Sequence, residues 1–127
     1  MIAIIDYGVG NLFSLRSSFA AIGQDVSVTN DIEEIRRADR LILPGVGAFR
    51  DAAEKLHATG MDRAVKEQAA RGKPLLGVCL GMQMLFDRSY EYGEYDGLSL
   101  LKGEIRPIAD SFDSLIIGIH PDNTDRL

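Results

Sequence analysis

A chain of 127 residues suits one domain, and 46% hydrophobic against 26% charged residues is the balance of an ordinary globular protein with a buried core. A net charge of −5 argues against nucleic acid or an anionic membrane as partner, and no apolar run approaches the roughly 20 residues of a membrane span. The start, Met1 to Asp6, lacks the basic region and cleavage site of a signal peptide, and one cysteine cannot form an intramolecular disulfide, so a reducing cytoplasm is the expected setting.

In chain order, short apolar runs alternate with helical patterns. Ile2-Ala3-Ile4-Ile5 reads as a strand covered on both faces. The turn Asp6-Tyr7-Gly8-Val9-Gly10 follows, with Asn11 as N-cap of a helix on which Leu12, Leu15, Phe19 and Ile22 recur before Gly23 closes it. Residues 26–29 read as a second strand, 31–38 as a short helix, and 41–43 as a third strand stopped by Pro44-Gly45. Two helical stretches come next, one marked by Ala52, Ala53 and Leu56, the other by Met61, Ala64, Val65 and Ala69 and closed by Gly72. Residues 75–78 read as a fourth strand and 80–86 as a further helical region. A polar stretch with tyrosines covers 88–97, an extended segment with turns covers 98–107, and 115–119 reads as a buried strand ending at His120-Pro121-Asp122. The alternation predicts an α/β fold with a doubly wound, mainly parallel, flavodoxin-like sheet, whose functional residues cluster where strands end.

The sole cysteine sits in Gly77-Val78-Cys79-Leu80-Gly81, the thiol form of G-x-S-x-G. Such a nucleophile elbow needs a sharp strand-to-helix turn, and flanking glycines relieve its crowding. The helix start favours the thiolate, and the backbone N–H of Leu80 faces a developing oxyanion. A small buried hydrophobe is the plainer reading of a lone cysteine, but the double glycine at a strand–helix join favours the nucleophile. Pro44-Gly45-Val46-Gly47 follows the neighbouring strand and offers a further backbone donor. His120 and Asp122 supply the imidazole and carboxylate that a cysteine nucleophile wants, at the end of a strand expected on the same sheet edge. His57 falls on a polar helix face and reads as solvated. Gly8 and Gly10 open a helix as a dinucleotide fingerprint does, but the third glycine is missing, so a tight turn near a partner or tunnel is preferred. One cysteine and two distant histidines give no metal-ligand spacing.

The stretches IIDYGVGNLFSL, LILPGVGAF and GKPLLGVCLGMQMLF resemble the glutaminase subunits of imidazole glycerol phosphate synthase, class I (triad-type) glutamine amidotransferases of histidine biosynthesis. DGLSLLKGEIRPI is similar to the segment that follows the nucleophile helix there, so the resemblance spans about residues 1–108, leaving 109–127 as a divergent tail. It implies a class I amidotransferase fold, no cofactor, and attack by Cys79 on the side-chain amide of glutamine to give a thioester and ammonia. It further implies that Gly45, Val46 and Gly47 form an oxyanion strand responsive to the partner, and that Gln83 helps hold the substrate. The Tyr7, Gly8 and Asn11 loop would face a (β/α)8-barrel synthase subunit. That subunit would use the ammonia to make imidazole glycerol phosphate and an aminoimidazole carboxamide ribotide.

Members of that family are longer, with more strands before a His-Pro-Glu ending. Here Ala109 to Ser114 leads almost directly into the run ending in His120-Pro121-Asp122. Two readings stand: the family signature after a deletion, with Asp122 in place of glutamate, or an unrelated tail. The chain is then either a working glutaminase or a catalytically weak module that docks on the synthase. A signalling receiver is rejected, because Pro44-Gly45 and His120-Pro121 stand where it needs an aspartate and a lysine.

Overall fold

The computed structural model describes residues 1–107 and 117–120. Four strands, β1 (Ile2–Ile5), β2 (Val26–Thr29), β3 (Arg40–Leu43) and β4 (Leu75–Gly77), form a parallel sheet in the order β2-β1-β3-β4. Between them run α1 (Leu12–Ala21), α2 (Ile32–Arg37), α3 (Phe49–Ala58) and α4 (Met61–Ala70). The α/β, mainly parallel fold read from the alternation is borne out.

Local chemistry sets the helix ends. The Asn11 side chain accepts from Ser14 N–H at 3.1 Å, and Asp31 accepts from Glu33 N–H at 2.9 Å, each satisfying an amide that the first turn leaves unpaired. In α2, Glu33 and Glu34 open and Arg36 and Arg37 close the helix, the order its dipole favours. Phe49, Ala52 and Leu56 on α3, with Met61, Ala64 and Val65 on α4, make the apolar stripes that pack on one face of the sheet. There they meet Ala3, Ile5, Leu41 and Leu43 in a single core cluster.

Two expected elements come out differently. The helical region 80–86 is reduced to α5 (Leu80–Gln83). Beyond it the backbone carbonyls of Met84, Leu85 and Phe86 accept from the amides of residues 98–101 instead of from further helix, at 2.7–3.1 Å. The polar stretch after it, to which the sequence reading gave no element, is a hairpin, β5 (Arg88–Ser89) with β6 (Tyr95–Asp96), turned through Tyr92 and Gly93 at positive φ.

The second correction concerns the last strand. Expected in the parallel sheet, it is β8 (Ile117–His120), which pairs antiparallel with β7 (Glu104–Pro107) in a second sheet ordered β6-β5-β7-β8. Only residues 108–116 join β7 to β8. That is short of the dozen or more that a parallel crossover takes, whereas an antiparallel return needs few.

Candidate active site

β4 runs into Val78, Cys79 and α5 without a spacer. Cys79 adopts φ 55° and ψ −125°, a conformation that suits glycine, and its side chain is exposed. The turn is locked by bonds from Val78 N–H to Leu43 O at 3.0 Å, from Gly81 N–H to Val78 O at 3.0 Å and from Met82 N–H to Cys79 O at 3.0 Å. Both flanking glycines are sterically required. A side-chain carbon on Gly77 would lie 2.6 Å from Met82 Cα, and one on Gly81 would run into Leu43 O. The G-x-C-x-G pattern is thus the condition for laying α5 directly on β3 and β4.

The Pro44–Gly47 loop leaves the end of β3 beside this turn. A carbon on Gly45 would sit 2.7 Å from Gly81 N, so the two backbones touch. Leu80 N–H, expected to be an open oxyanion donor, instead donates to Gly45 O at 3.2 Å. Val46 is exposed, and Gly47 has φ 86°. Gly45, Val46 and Cys79 share a cleft of about 190 Å3 with Asn11, Ser14 and Ser18 of the α1 side.

The 6–11 loop supports this arrangement from behind. Tyr7 hydroxyl donates to Pro44 O at 2.5 Å, and Gly10, at φ 115°, brings its backbone so close that a side-chain carbon would meet Pro44 Cβ at 3.0 Å. The G-x-G is a tight packing turn, as preferred. Tyr7 itself is buried in the core, so it is not an exposed partner contact as expected, while Gly8 and Asn11 are exposed.

Residues 3–115 match the model of the CobB/CobQ-like glutamine amidotransferase domain. The chain belongs to this glutamine amidotransferase family. It is 53% identical over 105 residues to the imidazole glycerol phosphate synthase subunit HisH of Sulfurimonas denitrificans, covering 83% of this chain and 51% of that protein. With HisH of Lactococcus lactis it shares 52% over 107 residues, 84% of this chain and 53% of that one. The resemblance drawn from the motifs is borne out, and the chain spans about half the length of these curated relatives. A crystal structure of a glutamine amidotransferase superposes with TM-score 0.73 over 95% of this chain and 71% of its own, at 16% identity. A putative peptidase E protein of Listeria monocytogenes superposes with TM-score 0.63 over 79% of this chain and 62% of its own, at 19% identity. At such identities these two speak for the fold alone.

The remaining residues of this amidotransferase domain separate into three groups. Gln83 closes α5, and its Oε1 is buried without a hydrogen-bond partner among the described residues. His57 is exposed on α3, as read, and pairs with Asp62 at 2.7 Å. His120 ends β8, its backbone in register with Glu104 of β7, so its strand is not part of the sheet edge that carries Cys79. Asp122 lies outside the described residues. Among the described residues no group of three or more His, Cys, Asp or Glu could hold a metal, and no helix is long and apolar enough to cross a membrane.

Sequence reasoning missed Ser14 and Ser18, which wall the cleft beside the thiol. Their signal was present, since Asn11, Ser14 and Ser18 follow helical spacing on one side of α1.

Proposed function

We propose that the chain is the glutaminase of an imidazole glycerol phosphate synthase, hydrolysing glutamine to glutamate and ammonia in the cytoplasm. One observation carries the reading: the exposed Cys79 thiol, held at φ 55° on a strand–helix elbow beside the Gly45–Val46 backbone. The Cys79 sulfur attacks the side-chain amide carbon of glutamine, and the carbonyl oxygen takes the negative charge. Ammonia leaves with a proton, a glutamyl thioester remains, and water releases glutamate. The ammonia passes to a (β/α)8-barrel synthase subunit, which forms imidazole glycerol phosphate and an aminoimidazole carboxamide ribotide.

The Leu80–Gly45 hydrogen bond supports control by that partner. A carbonyl oxygen on the Leu80 amide keeps that donor from an oxyanion. Turning the Gly45–Val46 peptide removes the oxygen and presents Val46 N–H in its place. Gly8 and Asn11 are the exposed contacts for the barrel, and Gly10 against Pro44 is the mechanical link to the peptide that turns. Gln83, with its unpartnered Oε1, holds the substrate.

The proton acceptor assigned from the tail is His120, oriented by Asp122. The position of β8 in the second sheet favours a second reading, a silent module that docks on the synthase without turnover. Glutamate release, measured with and without the synthase subunit, separates the two. The enzyme reading expects release that rises with the subunit and vanishes in Cys79→Ala. Binding to the subunit with no Cys79-dependent release selects the silent module. Release that survives His120→Asn removes the tail as the base.

A further inference from the structure

Strand register brings three residues to one level. β1, β3 and β4 are neighbours in the parallel sheet, with Ile4 opposite Ile42 and Leu43 opposite Gly77. Tyr7 and Gly45 follow Ile4 and Ile42 at the same interval, and Gly45 and Cys79 follow Leu43 and Gly77 at the same interval. The exits of three adjacent strands therefore set a tyrosine, the first glycine of the Pro44–Gly47 loop and the thiol in a row at the C-terminal edge of the sheet.

Tyr7 is fixed from its own side. Asp6 N–H donates to Thr29 O at 2.8 Å, and the Asp6 carboxylate accepts from Gly8 N–H at 3.2 Å, closing a turn around Tyr7. The Tyr7 ring belongs to the core cluster, so its hydroxyl reaches the loop from the interior and not from solvent. It donates to Pro44 O at 2.5 Å, and a side-chain carbon on Gly45 would lie 3.0 Å from its oxygen. Among the described residues no other side chain bonds the backbone of residues 44–47. The two peptides that meet at Gly45 are thus held unequally. Tyr7 holds the one before it through a short, buried bond. The one after it rests on the Leu80 N–H to Gly45 O bond, which at 3.2 Å lies at the long end of the range.

We propose that Tyr7 is a positioning residue whose hydroxyl pins the Pro44–Gly45 peptide and confines movement of the loop to a turn of the single Gly45–Val46 peptide. Such a turn swings one carbonyl and one amide while the flanking Cα atoms stay in place, so the peptide before it has to stand still. Glycine at 45 admits the change of ψ that the turn requires. Without the pin, Pro44 O is a buried acceptor with no partner, and the whole 44–47 segment is able to lift away from α5. The gate on Leu80 N–H then gives way to general loosening. The catalytic meaning of the pin rests on the glutaminase reading; the pin itself rests on the geometry of the loop.

Amide and hydroxyl hydrogen exchange, followed by NMR on the isotope-labelled chain, tests the pin without turnover. In the parent chain the Tyr7 hydroxyl proton should be protected more strongly than the Leu80 amide, because the pin holds while the peptide turns. Weaker protection of the hydroxyl overturns the proposal. Tyr7→Phe keeps the ring in the core and removes only the donor. The Leu80 amide should then exchange at least ~10-fold faster relative to the Val78 amide, the scale of one buried hydrogen bond. Val78 N–H is the internal reference because it donates to Leu43 O, outside the loop. A residue that only fills the core would accelerate both amides alike, and that result overturns the proposal. Replacing Tyr7 by p-aminophenylalanine, whose amine donates where the hydroxyl did, should restore the Leu80 protection; failure to restore it in the folded chain also counts against the pin. Glutamate release with the synthase subunit reads the proposed function separately. Where the parent chain turns over, Tyr7→Phe should lower the ratio of stimulated to basal rate at least ~10-fold, and an unchanged ratio overturns the proposal. A parent chain without Cys79-dependent release removes the enzyme, and the exchange measurements alone then decide the pin.

Discussion

The amide of Leu80 donates to the carbonyl oxygen of Gly45 at 3.2 Å, across the junction of the two loops that frame Cys79. If Leu80 N–H is the oxyanion donor, this bond is an off state. Loss of one such donor typically costs about 10²–10³ in rate. Glutamate release by the isolated chain should accordingly be at least ~10²-fold below release in the presence of the synthase subunit. Equal rates in a steady-state assay would show that the bond does not gate the reaction.

Cys79 holds φ 55° without being glycine, which stores about 1–3 kcal/mol of backbone strain. Replacing it with glycine removes the thiol and the strain together, whereas alanine removes only the thiol. In urea titrations Cys79→Gly should therefore be more stable than Cys79→Ala by about 1 kcal/mol, after the flexibility that glycine adds to the unfolded chain is subtracted. Both should be inactive.

Burial of the Tyr7 hydroxyl, which donates to Pro44 O, pushes its ionisation above the ordinary tyrosine range. The unfolded chain then loses this proton at lower pH than the folded one does. Stability from this group is complete below pH of about 10 and falls as pH rises above it. Tyr7→Phe should cost about 1–3 kcal/mol at neutral pH by leaving Pro44 O unpaired. The gap to the parent chain should narrow above pH of about 10. Urea midpoints at pH 7 and in the alkaline range check both statements.

Gly81→Ala drives a methyl group into Leu43 O, where neither backbone can retreat without parting α5 from β3. A loss of more than about 3 kcal/mol, or failure to fold, is expected. Gly72→Ala is the contrast. It meets nothing within 4 Å, but its φ of 87° strains any side chain, so about 1 kcal/mol is lost and the elbow stays intact. Thermal unfolding of the two variants separates close packing from backbone strain.

His57 has a carboxylate partner in Asp62 at 2.7 Å, a pairing that could pass for part of a catalytic pair, yet it lies on the solvent side of α3. His57→Ala should change stability by no more than about 1 kcal/mol and leave glutamate release as it was. A collapse of activity would move the base from the tail to α3.

The elbow was legible residue by residue, because its requirements are local: two glycines, an apolar lead-in and a thiol between them. The hairpin at 88–97 was not legible, since its strands are two residues each and join a sheet only where β5 pairs with the distant β7. Tyr7 was misplaced for a similar reason. A tyrosine in a glycine-rich turn looks available to a partner until the neighbouring strand supplies Pro44 O as its acceptor.

By itself the sequence determined the alternation of strands and helices, the capped helix starts, and the position of the Cys79 elbow. Each of these follows from spacing and backbone freedom within about ten residues. Only the tertiary structure decided which sheet receives the last strand, which carbonyl meets Leu80, and which acceptor takes the Tyr7 hydroxyl. Those outcomes depend on groups that are far apart in the chain and meet only after the sheet has formed, where connection length and backbone contact choose among arrangements that a local pattern allows equally.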